Sequence, residues 1–434
     1  MIREYDAIII GAGIIGCAVG LELARKGYKT LNVDKLPAAG YGSTSNTCSI
    51  IRFHYSTPEG VAMARESYFY WLDWPRYVGV ADEAGMAKYV NTGCLITKNP
   101  RNHFLKNVMA SLDALKVAYE ELDADGMKAV APFIDARQFG PPVLADDPGF
   151  AQPTGDAIKG AIYLPESGVI NDPQLACHNQ QVACESHGGK FLFNAEVVEI
   201  LEVHGRAGGI RLADGTGVHA PIVVNVAGPH SSKVNRMVGV EEEMKIKTRA
   251  IKQEVCHVPA PKGLAYNVLG IMISDGDIGC YSRPEVGNNV LIGSEDPDCD
   301  VLEEVNPDDY DQGFTFQWKT QAMREAQRIP SLPIPEQQRG LVDLYDVSDD
   351  WIPIYDRSRL PGFYMAVGTS GNQFKNAPVV GKLMAELIEK VEAGHDHDKD
   401  PVHFHMKFTR RECNIGFFSR LREVNPDSSG SVIG

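Results

Sequence analysis

The sequence lacks the features that would tie it to a membrane, a disulfide scaffold or a nucleic acid. No uninterrupted apolar run reaches the roughly eighteen residues that a membrane span needs. The N-terminal apolar stretch is broken by a glycine turn and has no cleavage site, so it does not read as a signal peptide. Nine cysteines are scattered without C-x-x-C pairs or metal-ligand spacing. That argues against a disulfide framework or a metal site and predicts reduced thiols in a soluble, cytoplasmic protein. Positive charge is in deficit: Lys plus Arg number 42 against 57 Asp plus Glu, a formal net charge of −15. Such a balance argues against nucleic acid and anionic membranes as partners, although a small anionic substrate needs only local positive charge. Repeats and low-complexity tracts are also absent. At 434 residues the chain exceeds what one hydrophobic core usually serves, so two domains or lobes are expected.

What is present is concentrated first in YDAIIIGAGIIGCAVGLELARKGYKTLNVD, Tyr5 to Asp34. Ala7 to Ile10 is a short apolar, β-branched run that reads as a buried strand. It enters Gly11, Gly13 and Gly16 in the spacing G-x-G-x-x-G. Ile14 to Lys26 reads as a helix closed by Gly27, and Thr30 to Val33 as a second strand ending in Asp34. The first glycine makes the tight turn, the second admits a pyrophosphate to the backbone, and the third lets helix and strand pack closely. Asp34, eighteen residues after Gly16, is placed to accept from a ribose hydroxyl. The stretch predicts an adenine dinucleotide site.

The following loop carries Gly40, Gly42, Ser43, Thr44, Ser45 and Asn46. It suits either a second wrap around phosphate or ribityl oxygens or an ordinary surface turn. Thr57 and Pro58 open a helix to about Trp74. Residues 75–154 change character, with strand-like pieces (Tyr89–Val90, Cys94–Thr97), a helix from about Arg101 to Leu115, and proline-rich turns. From Gly160 the α/β alternation returns: a helix over Pro173–His187, a hairpin turn at Asp214-Gly215, and a buried strand from Ile222 to Val226. Residues 243–340 are β-rich with a polar helix near Phe314–Arg328. A last strand, Phe363–Val367, enters a glycine loop with Gly368 and Gly371, and a helix begins near Asn376. Lys375 stands beside that helix N-terminus, a second anion site that suits the pyrimidine edge of a flavin.

The order of GAGIIG, GSTSNTCSIIRFHY, VVNVAG, CYSRP, LYDVSDDWIPI and GTSGNQFKNAPVVG resembles the D-amino-acid oxidase superfamily of flavoproteins, in its sarcosine oxidase and dimethylglycine dehydrogenase branch. The resemblance implies an α/β chain: a Rossmann-like FAD-binding domain of discontinuous segments plus an α+β substrate domain with a mixed β-sheet. The expected segments are 1–90, 155–242 and 341–394 for FAD and 91–154 and 243–340 for substrate, with 395–434 a C-terminal tail. It further implies FAD contacts from Gly11, Gly13, Ile14, Ile15, Gly16, Asp34, Lys35, Gly42, Ser43, Thr44, Ser45, Asn46, Val197, Ala227, Gly228, Gly371, Asn372, Gln373, Phe374 and Lys375.

Members of the branch grip the substrate carboxylate with a basic pair, here Arg52 in SIIRFHY and Lys375 in NQFK. Tyr281, in CYSRP, matches a tyrosine lining the active site, and His54 is a further pocket candidate. Tyr345, in LYDVSDD, stands where D-amino-acid and glycine oxidases carry a carboxylate-binding arginine, which favours N-substituted glycines. Asp343 and Asn46 occupy positions used by some relatives for covalent flavin attachment, so FAD is expected to be non-covalent. Leu291 falls near the position of a lysine that assists oxygen activation, leaving oxygen or an electron-transfer partner as oxidant, with an oxidase the favoured reading.

The implied activity is oxidation of the C–N bond of a secondary or tertiary amino acid such as sarcosine, dimethylglycine or iminodiacetate. Hydride passes to flavin and the imine is then hydrolysed. A dicarboxylic substrate requires another cation: Arg283, Lys252 or Arg249. The alternatives are a D-amino-acid or glycine oxidase and a non-catalytic flavoprotein subunit of a hetero-complex. His395, His397, His403 and His405 lie among acidic residues in a segment that reads as a solvated tail without metal.

Overall fold

The structure, a computed structural model, describes residues 3–100, 102 and 104–434. Its most apolar strands pair with one another. In a six-stranded sheet, Lys190–Leu192, Thr30–Val33, Ala7–Ile10, Ile222–Asn225 and Phe363–Val367 run parallel in that order, and Ile354–Arg357 joins antiparallel at one edge. The four inner strands are buried along their whole length, as continuous apolar runs covered on both faces must be. One face carries the helices Ile14–Arg25, Pro173–Ser186 and Ala377–Glu392. A Cβ on Gly381 would meet the carbonyl oxygen of Ala18 at 2.6 Å, so the first and last of these helices touch backbone to backbone. A hairpin sheet (Val197–Val203, Arg206–Leu212, Gly217–His219) packs through apolar side chains on the other face.

The second sheet has nine strands and is mixed. Met272–Asp275 runs parallel to Cys94–Thr97, and Thr248–Pro259 pairs antiparallel with Gly340–Ser348 over nine residue positions. The helix Phe316–Arg328 covers part of it. Ala161–Leu164 and Gly340–Ser348 belong to this sheet, although the sequence placed them in nucleotide-domain segments. Apolar alternation marks a strand but not the sheet it joins.

Helix bounds shift little. The helix expected to run to Trp74 stops at Leu72, and a short turn over Trp74–Val78 follows. The helix expected from Arg101 runs from Leu105 to Leu115; Arg101 lies outside the described residues. Thr57 caps its helix as expected, its hydroxyl accepting from Gly60 N at 3.3 Å.

The segment 395–434 is not a solvated tail. Val402, Phe404, Met406, Cys413, Ile415 and Phe418 join the core beneath the helices. Arg420 is buried against Asp356 (3.0 Å), Asp398 (2.9 Å) and Glu243 (3.2 Å), and Arg422 pairs with Asp350 at 2.7 Å. The polar residues that suggested solvation pair with the body of the protein instead. The histidines do not converge. His397 is buried and accepts from Val402 N at 2.9 Å, whereas His405 pairs at the surface with Glu412 at 2.6 Å.

Candidate functional site

A cavity of about 650 Å³ runs from the first glycine turn to the wall of the nine-stranded sheet. At one end sterics hold two of the three motif glycines, Gly11 and Gly16. A Cβ on Gly11 (φ +119°) would lie 2.4 Å from the carbonyl oxygen of Val226, and one on Gly16 would lie 2.3 Å from that of Gly11. Thr44 Oγ1 accepts from Ile14 N at 3.0 Å, tying the second loop to the helix start. Asp34 lines the cavity and braces the turn, accepting from Ala12 N at 2.7 Å and Leu36 N at 2.9 Å. Gly13, Ile14, Ile15, Lys35, Gly42, Ser43, Asn46, Val197, Ala227 and Gly228 also line this part. Ser45 does not: its hydroxyl turns back to donate to Gly42 O at 2.9 Å, as serine does in tight turns. Lys35 meets Asp308 at 2.6 Å, and His230 and Lys233 converge on the same carboxylate.

At the other end the late glycine loop meets the segment Ile51–Tyr55. Arg52 and Lys375 are both buried, and both face the ring of Tyr55, with the guanidinium carbon 4.5 Å and the ammonium 5.2 Å from its centroid. Lys375 Nζ donates to Tyr55 Oη at 3.0 Å and to Asn372 O at 2.8 Å. Among the described residues neither cation forms an ion pair. Burial, then repulsion from Arg52, pulls the Lys375 amine well below the usual lysine range. His54 is buried too, and neither ring nitrogen has a hydrogen-bond partner. Burial and the two neighbouring cations depress its proton affinity, so it is neutral at neutral pH.

Tyr281 and Tyr345 both face the cavity from the nine-stranded sheet, and Tyr281 Oη lies 3.4 Å from Cys48 Sγ. Burial pushes both phenols up. Each ring rests on a glycine: a Cβ on Gly293 would be 2.3 Å from the Tyr281 ring, and one on Gly371 (φ +68°) 2.4 Å from that of Tyr345. Gln373 and Phe374 complete this wall, and Trp71 Nε1 donates to Lys375 O at 2.7 Å beneath it.

Several lining residues carried no legible signal. Tyr55, behind the lining in the SIIRFHY motif, meets both Arg52 and Lys375, which only the fold shows. Gln253, Met272 and Ser274 come from strands whose facing is set by pairing, and Glu295 follows directly after one. Val432 and Ile433, in a Ser- and Gly-rich stretch, close one side, and their carbonyls accept from Arg52 at 2.7 and 3.1 Å. Arg283, Lys252 and Arg249 do not line the cavity. Arg283 pairs with Glu285 at 2.7 Å, Arg249 with Asp349 at 2.8 Å, and Lys252 donates to Gly313 O at 3.2 Å. Leu291 does not line it either; its strand turns Val290 and Ile292 to the core beside it.

Residues 6–387 match the family model described as FAD dependent oxidoreductase (DAO). The chain belongs to the FAD-dependent oxidoreductase family. Human peroxisomal sarcosine oxidase is 26% identical over 413 residues, covering 90% of this chain and 94% of that protein. Glycine oxidase of Geobacillus kaustophilus is 24% identical over 412 residues, covering 91% and 96%. Among solved structures, L-proline dehydrogenase from P. horikoshii superposes with a TM-score of 0.76 at 21% identity, covering 98% of this chain and all of that one. The cavity fits the family's cofactor: Gly11 and Gly16, where the backbone leaves no room for a Cβ, adjoin a helix N-terminus, and the same cavity continues to Arg52 and Lys375, which form no ion pair among the described residues. No helix among the described residues is long and apolar enough to cross a membrane.

Proposed function

We propose that the protein oxidises the C–N bond of a secondary or tertiary amino acid of the N-substituted glycine type, with oxygen as the electron acceptor. The observation that carries this reading is the pair Arg52 and Lys375, two buried basic side chains with no carboxylate partner among the described residues. A buried positive charge left without an anion costs several kcal/mol, so an arriving carboxylate gains most of what the empty site lacks. Arg52 offers a planar fork, and Lys375 becomes a point charge when the arriving carboxylate draws a proton onto it. Neutral His54, with both ring nitrogens buried and unpartnered, supplies a hydrogen bond that does not add charge. Tyr345, its ring resting on Gly371, stands where the resemblance expects the arginine of D-amino-acid and glycine oxidases.

Bound FAD supplies the acceptor for the hydride that leaves the carbon next to nitrogen. The chain's residues fix the carboxylate, orient that C–H bond and keep water away, which is where the binding energy is used. Non-covalent retention of FAD is part of the proposal, since Asn46 and Asp343 offer no thiol or imidazole. The glycine loops and the segments 1–90, 155–242 and 341–394 would hold it, with the strands at 161–164 and 340–348 serving the substrate sheet. The relatives support amino-acid oxidation, and two of them are named for secondary amino acids, sarcosine and proline.

The test is anaerobic titration of the holoprotein with sarcosine, dimethylglycine, L-proline, glycine and D-alanine while flavin absorbance is followed. Bleaching by the N-substituted acids, with rapid recolouring in air, is the expected result. Preferential bleaching by glycine or D-alanine would overturn the weight placed on Tyr345. No bleaching by any would support a non-catalytic subunit.

A further inference from the structure

The substrate end of the cavity is not uniformly cationic. Glu295, just beyond the strand Asn289–Ser294, is buried and lines the same cavity as Arg52 and Lys375. The hydroxyl of Ser274, itself buried and cavity-lining, donates to its Oε1 at 2.5 Å. Ser274 sits on the strand Met272–Asp275, in register with Cys94–Thr97, where Met272 pairs with Cys94. Arg52 and Glu295 act with opposite signs on the buried Cys94 thiol, in keeping with their lining one cavity. The neighbouring Asp296 does not line the cavity; it accepts from Gln253 Nε2 at 3.1 Å.

We propose that Glu295, positioned by Ser274, recognises the positively charged amine of the substrate. The cavity is then polarised along the substrate: carboxylate toward Arg52 and Lys375, nitrogen toward Glu295. This deepens the reading of the site given above and rests on it. It selects zwitterionic monocarboxylates and rejects dicarboxylates of the iminodiacetate kind. A second carboxylate would meet Glu295, and none of Arg283, Lys252 and Arg249 lines the cavity to receive it.

The test uses two ligands of the same shape that differ only in charge, glycine betaine and 3,3-dimethylbutanoate, titrated calorimetrically into the holoprotein. Neither has an N–H or a requirement for turnover. Wild type is expected to prefer betaine by about tenfold or more, the range of one charge-assisted contact. In Glu295→Gln the preference should vanish while affinity for 3,3-dimethylbutanoate stays within about twofold, which also shows that the variant is folded. In the same variant iminodiacetate should gain affinity. Equal affinity of wild type for the two ligands, or a preference surviving Glu295→Gln, overturns the proposal. If wild type binds neither ligand, the Arg52–Lys375 clamp has failed and the role of Glu295 falls with it. Loss of both ligands in Arg52→Met, with the betaine preference intact in wild type, confirms the two ends separately.

Discussion

The side-chain amide of Asn46 donates to Asp343 Oδ2 at 2.7 Å. These are the two positions at which some relatives carry a residue that bonds covalently to flavin, and here they bond to each other across the cavity wall. Burial raises the Asp343 carboxyl, and the Asn46 amide acts against that shift. The pair therefore joins the early loop to the strand Gly340–Ser348 without offering a nucleophile. Acid precipitation of the holoprotein should leave FAD in the supernatant and colourless protein in the pellet. Asn46→Ala should lower stability by about 1 kcal/mol, the value of one such bond, measurable as a shift in thermal midpoint.

The two cations around Tyr55 give a prediction for binding. Arg52→Met should raise the KM for an N-substituted glycine roughly tenfold to a hundredfold, with a smaller change in kcat, because a charge-assisted contact is removed. Lys375 should behave differently. Burial and Arg52 depress its proton affinity, so a bound carboxylate draws a proton onto it. Calorimetric titrations in buffers of different ionisation enthalpy should show proton uptake in wild type and none in Lys375→Met.

Gly371 is a steric prediction. Its φ is +68°, and a Cβ there would lie 2.4 Å from the Tyr345 ring. Gly371→Ala should cost about 1–3 kcal/mol of stability from backbone strain and overpacking. It should also lower kcat/KM by displacing Tyr345. Normal kinetics in a folded Gly371→Ala protein would show that Tyr345 has no part in the site.

The segment 429–434 is a wall of the cavity. Val432 and Ile433 hold two donors of Arg52, and Gly434 N donates to Ser431 O at 2.9 Å within the same turn. Removing 429–434 admits water to Arg52 and screens its charge, so affinity for 3,3-dimethylbutanoate should fall several-fold. A rise in affinity would show that the carbonyls of Val432 and Ile433 compete with the ligand.

Asp296 carries a pH prediction. Burial raises its carboxyl to about 7, against hydrogen bonds from Gln253 and Val432 N that oppose the shift. Because the folded state holds the proton more tightly than the unfolded one, this stabilisation is fully present below about pH 4. It is lost as pH rises through about 7. Asp296→Asn should therefore gain stability relative to wild type between pH 5 and 8, by up to a few kcal/mol. Parallel thermal midpoints across that range would show that Asp296 titrates as an ordinary carboxylate.

The sequence by itself determined the parts of this protein whose physics is local. Ala7–Ile10, Gly11, Gly13, Gly16 and Asp34 were legible because a buried parallel strand, a turn at positive φ and a helix start each demand particular residues at fixed spacing. Lys375 was legible as an anion site beside a helix N-terminus, whereas Arg52, Tyr281 and Tyr345 were legible only through resemblance, since nothing in the neighbouring residues says that they face one cavity. The tertiary structure alone decided which sheet Ala161–Leu164 and Gly340–Ser348 join, because period-2 alternation is the same in either. It turned Ser45 away from the cavity by a bond to its own turn, and it buried the polar segment 395–434 by pairing Arg420 and Arg422 with carboxylates far away in sequence. It also set Glu295 in the same cavity as Arg52. Charges 243 residues apart in the chain come to line one cavity only through the pairing of strands, and no local pattern encodes that.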